Sequence, residues 1–513
     1  MHSLAKAWLR RQPETTVLYR VLAQHLETFL ARTHDDDDRG PLPRFVVREL
    51  RDFLTCGLLA RGFCRVHCAA CGKDDLVAFA CKRRGICPSC GARRMADTAA
   101  WLVDRVFPDV PVRQWVLSLP HRVRWACAFD HATTQGVRRI FVRALASFYG
   151  RDARTRGIAN ARAGAVVATQ RFDSAYAPER PLPLAVARRD VTCAPRQPEA
   201  AFHPARPITD EDVEHLVRQI RSRMLRYLRK TGKLTDHDAA DVDAHDASLF
   251  DTLRAASIAG RTALGPRAGH SDPRVGQGSA ASSDFARGRL CANLDGFSLH
   301  AAVRVDGCNP ERLERLCRYA LRPPVVHERL SLTSDGKVRC KFKRRWRDGS
   351  THVVLDPLTL IERLAALIPA PRKKLISYHG VFAPAFPLRH TVVPPPPEAA
   401  TSQPQVERAD LPRTCSHPPQ APPSSSTADA APPPPTTLRT KPRSRYPWAD
   451  LLRRVYLVDV LTCPHCKRSR RLLAFITEPD VIARILRHLG LPTRPPLVAP
   501  ARPPPDAALP SFR

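Results

Sequence analysis

Apolar residues recur at helical spacing over residues 14–33, where Leu18, Val21, Leu22, Leu26 and Leu30 share a stripe with His25. The acidic run at 35–38 ends that pattern and reads as a solvated loop. A second helix is expected over 43–60, with Phe45, Val46, Leu50, Phe53 and Leu54 on its apolar face, and a third over 93–106. The β-forming run 112–120, closed by proline, predicts a buried strand. Residues 132–150 read as a helix and 163–172 as a strand. Across 176–198 the pattern collapses, because proline and arginine stand where a strand should follow. Order returns in a helix that Thr209 caps and that Glu211, Asp212 and Glu214 favour at its positive end.

Residues 235–292 read as a connector, acidic and then rich in glycine and serine. Its Asp236, His237, Asp238, Asp241, Asp243, His245 and Asp246 resemble a metal cluster but fit a solvated linker better. Residues 296–305 alternate like a strand. Asn309 and Pro310 open a helix as cap and first turn. A β-hairpin is expected to turn at Asp348 and Gly349, and a helix over 359–368. From 394 to 445 the chain is rich in proline, serine, alanine and threonine, so it cannot bury a core and is expected to be disordered. A small module follows at 446–492, with an amphipathic helix near 479–489 and a Pro-rich tail at 493–513, also expected to be disordered.

Composition narrows the partner. The 513 residues carry a formal net charge of +33, a field that favours nucleic acid over an anionic membrane surface. Neither a transmembrane-length apolar run nor a signal-peptide pattern is present in the sequence. Seven of the sixteen cysteines crowd between Cys56 and Cys90, which fits local metal binding in a reducing cytoplasm better than a disulfide framework.

Four of those cysteines carry the sharpest signal. Cys68-x2-Cys71 and Cys87-x2-Cys90 are separated by fifteen residues, the mark of a zinc ribbon in which two tight knuckles turn four thiolates onto one ion. Lys82, Arg83, Arg84, Arg93 and Arg94 surround the pairs. The zinc is expected either to hold a small fold together or also to present that basic rim to DNA. Cys56, Cys64 and Cys81 are surplus to a four-ligand site; Cys81 could replace a ligand, but a buried free thiol is the simpler reading. Cys463 and Cys466 form one further pair, which would need His488 or another chain to complete a second site.

These segments together resemble the rolling-circle insertion-sequence transposases of bacteria. The resemblance is carried by "LYRVLAQHLETFLAR", "CPSCGARR", "RQWVLSLPHRVRW", "AGRTALGPRAG", "LDGFSLHAAVRV", "RLCRYALRPPVVHERLSL" and "KRRWRDGSTHVVLDPL". It implies an α+β fold: N-terminal helices (1–60), a zinc ribbon with its following helix (61–110), a nuclease core of the HUH superfamily with an antiparallel sheet and flanking helices (111–393), the linker (394–445) and the small C-terminal helical module. It implies structural Zn²⁺, a Mg²⁺ or Mn²⁺ ion for cleavage, single-stranded element ends as partner and a bacterial cytoplasmic location on the nucleoid. No small-molecule substrate or membrane is implied. Tyr319 matches the family's nucleophile; the second tyrosine that some relatives carry four residues earlier is Arg315 here. DNA contacts are expected from the ribbon's basic residues and from Lys341, Lys343, Arg344 and Arg345.

One departure bears on activity. The family pattern places two histidines, one residue apart on a strand, near 181–186, and this chain has Pro181-Leu182-Pro183-Leu184. One choice of codons for residues 175–191, read one base later, yields Val-His-Phe-His and then Leu-Asp-Gly, so the segment has the character of a stretch read out of frame. His300 and His352, each on an expected strand, are the alternative ligands, and neither has a histidine two residues away. The expected function is an insertion-element transposase impaired in cleavage. A non-enzymatic zinc-ribbon DNA-binding protein is the alternative. A zinc nuclease fits less well, because a four-cysteine site leaves no open position for water.

Overall fold

The computed structural model describes residues 11–34, 39–158, 161–170, 184–189, 202–233, 248–272, 274–275, 288–342, 349–393, 446–456 and 459–503. The expected linker at 394–445, the acid–His run at 236–246 and the expected turn at Asp348 lie outside the described residues.

The N-terminal periodicity becomes α1 (Val17–His34) and α2 (Arg44–Phe53), which bury Leu18, Leu22, Leu26, Val46 and Leu50 completely. β1 (Phe63–His67) and β2 (Asp74–Ala78) form the ribbon hairpin. α3 (Pro88–Arg105) begins earlier than the sequence predicts because Pro88 occupies its first turn, where the missing N–H has no cost. Then come β3 (Val112–Ser118), α4 (His121–Phe129), α5 (His131–Thr155), β4 (Gly164–Thr169), β5 (Leu184–Arg189) and α6 (Asp210–Lys230). Thr209 and Asp212 close a reciprocal cap on α6.

α7 (Leu249–Ala259) and β6 (Arg274–Val275) follow, then β7 (Cys291–Leu294), β8 (Phe297–His300) and β9 (Arg304–Val305). The single strand expected over 296–305 is thus divided in two. α8 (Pro310–Leu321) starts at Asn309, whose side chain accepts from the Arg312 amide at 2.9 Å. β10 (Leu330–Leu332), β11 (Val338–Lys341), β12 (His352–Leu355), α9 (Pro357–Leu367), β13 (Ile376–Gly380) and α10 (Arg389–Val392) complete the middle of the chain. α11 (Trp448–Tyr456), β14 (Arg471–Ile476) and α12 (Pro479–His488) lie C-terminal.

The main sheet runs β13-β4-β5-β3-β8-β7, with β9 also on β3, and its pairs are antiparallel. Its two faces separate by alternation. Trp115, Leu117, Ala165 and Val167 pack against α5 and α6. Val112 and Val166 pack with Ala99 and Leu102 of α3 and Leu313 and Cys317 of α8. A second sheet, β10-β11-β12-β6, shares a core with α1, α2, α7 and α9. The N-terminal helices therefore pack against segments from far beyond residue 110. Among the described residues no helix is long and apolar enough to cross a membrane.

Three expectations are corrected. Within the segment 176–198, residues 184–189 form a strand: β5 pairs with β3 on one side and β4 on the other. Pro178, Pro181 and Pro183 all precede the strand, so every residue of 184–189 keeps the N–H its ladders require. The connector at 235–292 contains α7, which buries Leu249, Leu253 and Ile258. Ser248 caps that helix and Gly260 ends it at φ +68°, signals that composition alone obscured. The tail 493–513 is ordered as far as 503 along α1, where the Ala499 amide donates to the Ala23 carbonyl at 2.8 Å and the Arg502 amide to Thr28 Oγ1 at 3.1 Å.

Candidate metal centres and catalytic helix

The four ribbon cysteines do not share one site. The β1–β2 hairpin carries Cys68 and Cys71 at its tip, whereas Cys87 and Cys90 lie beyond its base. Five-residue strands separate tip from base by about 15 Å, several times the span of one zinc coordination sphere. Each pair instead meets a second pair.

At the base, Cys56, Cys81, Cys87 and Cys90 converge with all four sulfurs within 4.8 Å of one another. Cys56 Sγ lies 3.8 Å from Cys90 Sγ and 3.6 Å from Cys87 Sγ, and Cys81 Sγ lies 3.5 Å from Cys90 Sγ. Four sulfurs about 2.3 Å from a tetrahedral zinc ion stand about 3.8 Å apart, so this donor set fits structural Zn²⁺. Cys56 and Cys81, expected to be surplus thiols, complete it.

The surroundings hold this set in place. Cys56 follows α2, and Cys87 and Cys90 open α3, so the site joins the two helices inside the N-terminal core. The buried Glu49 carboxylate of α2 accepts from the Gly85 and Ile86 amides, which fixes the turn before Cys87. Hydrogen bonds from Cys81 above all, then from Cys87 and Cys90, hold the Cys56 thiol far below the usual range, while the same contacts with Cys56 push the Cys81 and Cys87 thiols up.

At the hairpin tip, Cys68 and Cys71 face Cys463 and Cys466, again with all four sulfurs within 4.8 Å. Cys68 and Cys466 are 3.4 Å apart, Cys71 and Cys463 3.6 Å. The two segments are alike in backbone: the Gly72 amide donates to the Cys68 carbonyl at 2.8 Å and the Lys467 amide to the Cys463 carbonyl at 2.9 Å. Gly72 and Lys467 both turn through positive φ, at +67° and +59°. The Cys466 backbone amide foremost holds the Cys463 thiol down to about 6.

Tyr319 lies on the last turn of α8, 46% exposed, with the Arg322 guanidinium carbon 4.6 Å from its ring centroid. The end of that helix is tied to the main sheet. Gln170 Nε2 donates to the Tyr319 carbonyl at 3.2 Å and the Ala320 carbonyl at 3.1 Å, satisfying acceptors that a helix terminus leaves open. Gln170 directly follows Thr169, which pairs with Leu184 at the start of β5. Tyr319 is thereby tied to the end of β4, next to the pair that Thr169 makes with Leu184; residues 184–189 of β5 are Leu, Ala, Val, Ala, Arg and Arg.

The alternative histidines lie apart. His300 is in the main sheet opposite Val116, and burial pushes its imidazole below the ordinary value. His352 is in the second sheet with Nδ1 2.7 Å from Thr351 Oγ1. Among the described residues, neither joins a group of three or more potential metal ligands.

Comparison with known proteins bears directly on this arrangement. Residues 21–119 match the family model of a transposase zinc-binding domain, and residues 192–389 match the family model described as "Putative transposase". Together they span more than half of the chain. The chain belongs to the insertion-sequence transposases. No curated protein and no solved structure matches it. The first match contains the base cluster and the hairpin tip, but Cys463 and Cys466 lie outside both matches.

A transposase acts on DNA, and its basic side chains divide by what they touch. Arg83 pairs with Asp52, and Arg84 donates to the Lys373 carbonyl at 3.2 Å and the Ala370 carbonyl at 3.0 Å. Both therefore brace the first cysteine cluster as well as carrying charge. Arg94 donates to the Lys82 carbonyl at 3.1 Å, while Arg93 on α3 and Lys341 at the end of β11 are exposed. Lys343, Arg344 and Arg345 lie outside the described residues.

The sequence reading missed a larger basic feature. Arg143, Arg151 and Arg154 of α5 face Arg223, Arg226 and Lys230 of α6 across a groove of about 880 Å³. Spacings of eight and three residues along α5 and of three and four along α6 put them on one face of each helix. Among the described residues, no carboxylate lines the groove.

Proposed function

We propose that this transposase cuts and rejoins single DNA strands at insertion-element ends through a phosphotyrosine intermediate on Tyr319, and that the chain as encoded is impaired in that step. The observation that carries the reading is the exposed Tyr319 at the end of α8, tied through Gln170 to the end of β4 where it pairs with β5. The Tyr319 hydroxyl oxygen would attack phosphorus, forming a 5′-phosphotyrosine as the bond to the 3′ oxygen breaks. The released 3′ hydroxyl can later reverse the step, so no nucleotide cofactor is consumed. The Arg322 guanidinium over the ring supplies positive charge beside the incoming phosphate.

Mg²⁺ or Mn²⁺ would polarise the scissile phosphate in such chemistry. The side chains of β5 do not fit that ion, because none of them is a ligand. The second family match begins at residue 192, directly after the segment whose shifted frame reads His-Phe-His, which supports a local change of frame. Structural zinc at the base cluster would hold α2 and α3 in register with α8, while the basic groove and the exposed residues Arg93 and Lys341 would bind phosphates. The reaction places the protein with the bacterial chromosome in the cytoplasm. The same β5 composition and basic groove favour, as a second reading, a transposase-derived protein that binds DNA without cutting it.

Nicking of hairpin-bearing single-stranded element ends in Mn²⁺ separates these readings. The unmodified chain should give little cleavage. Replacing 175–191 by its shifted-frame reading should raise the rate on the order of 10²–10⁴-fold, the worth of a restored Lewis acid. In that background Tyr319→Phe should abolish the covalent protein–DNA adduct. An adduct that survives Tyr319→Phe sinks the nucleophile assignment, and robust cleavage by the unmodified chain sinks the impairment.

A further inference from the structure

We infer that Cys68, Cys71, Cys463 and Cys466 form a second structural zinc site, and that this site is a clasp fastening the C-terminal segment to the N-terminal ribbon and, through it, bracing the helix that carries Tyr319. The donor chemistry is that of Zn²⁺: four cysteines, two paired S···S separations of 3.4 and 3.6 Å, and two knuckles of matching backbone. Cys68 and Cys463 are buried, and the sulfurs come from segments whose sequence separation is 392–398 residues. Neither half-site is complete alone, so the ion can be held only when the two segments meet.

Independent contacts show the same meeting. β14 pairs antiparallel with β1 from Phe63 opposite Ile476 to His67 opposite Arg471. The C-terminal segment thus supplies the third strand of the ribbon sheet. Leu59 and Phe63 share a small core with Ile482 and Leu486 of α12. Lys73 Nζ lies 3.1 Å from His465 Nδ1 across the knuckles, and the buried Arg470 pairs with Asp75. These contacts bury only a small core; a four-thiolate ion adds a fixed, directional link at the tip of the hairpin.

The clasp reaches the catalytic helix through α11. Arg454 bridges Asp104 of α3, with Nη contacts of 2.5 and 2.8 Å, to Glu314 of α8 at 2.5 Å. Tyr446 adds a hydroxyl hydrogen bond to Asp104 at 2.6 Å. Glu314 is one and a half turns before Tyr319 on the same helix. Loss of the ion should therefore free β14 first and then loosen the brace on α8. This assignment does not depend on whether the chain cleaves DNA.

Zinc content of the purified full chain, measured by elemental mass spectrometry, tests the site. Two ions per chain are expected. Cys463→Ser with Cys466→Ser should leave one, and Cys56→Ser with Cys81→Ser should also leave one. Cys466→His, which keeps a zinc ligand, should keep two. Hydrogen exchange on the Cys463/Cys466 variant should rise in β14, β1 and α11 while α5 and α6 stay protected, which shows that the rest of the chain is folded. Unchanged zinc content in that variant overturns the site. Loss of both ions with α5 and α6 still protected overturns two independent sites. Loss of one ion with unchanged exchange in β14 and α11 overturns the clasp.

Discussion

Glu362 accepts from the Ala263 amide at 2.8 Å and the Leu264 amide at 3.2 Å, which fastens the segment after α7 to α9. Burial pushes its carboxyl up to about 7, against the partial relief of those two amides. The folded chain therefore binds this proton more tightly than the unfolded chain, whose glutamate titrates near its ordinary value. The sign follows from linkage: this contribution is fully present below about pH 4.3 and is lost as pH rises through about 7. Glu362→Gln should flatten the fall in stability between pH 5 and 7 by on the order of 3 kcal/mol. Denaturant midpoints of both proteins across that window check it, and parallel pH profiles would sink the assignment. The residue scale also shows how cysteines mislead. C-x2-C pairs are legible in sequence as half-sites, but nothing local says which halves meet.

At the scale of elements, the contact of α3 with α8 links the base cluster to the helix that carries Tyr319. Gly91 directly follows Cys90, and a Cβ there would stand 2.7 Å from Pro323 Cβ, just beyond α8. Gly91→Ala should force the two helices apart and cost about 1–3 kcal/mol. Gly150, in α5, has open space around its would-be Cβ, so Gly150→Ala should instead stabilise by up to about 1 kcal/mol. Thermal or denaturant unfolding reads both; equal effects would mean that the α3–α8 approach is not tight. The same scale explains what patterning revealed. α1 was legible from its apolar stripe, and α6 and α8 from agreeing cap and first-turn residues. α7 was hidden by acidic and glycine-rich neighbours, and β5 by the prolines that precede it.

For the molecule as a whole, charge and topology act together. The chain's +33 predicts a polyanionic partner, but the fold concentrates six of those cations in the groove between α5 and α6. Replacing Arg151, Arg154 and Arg226 together by alanine should weaken DNA binding across sequences and lower the slope of log affinity against log salt by about 3, one for each phosphate left without its cation. Fluorescence anisotropy at several salt concentrations measures this. An unchanged slope would place the DNA elsewhere on the surface.

The sequence by itself determined the α+β class, the zinc-binding chemistry, the basic character and the resemblance to transposases, because each is set by residue type and short-range spacing. The tertiary structure decided how the cysteines sort. A hairpin about 15 Å long holds its tip away from its base, so Cys68 and Cys71 cannot share an ion with Cys87 and Cys90. It also decided that residues before and after the proline-rich stretch join in one ribbon sheet, and that β5 fills the place between β3 and β4 in the main sheet. Spacing along a chain fixes which residues can be neighbours over a few turns; only packing brings together partners nearly four hundred residues apart.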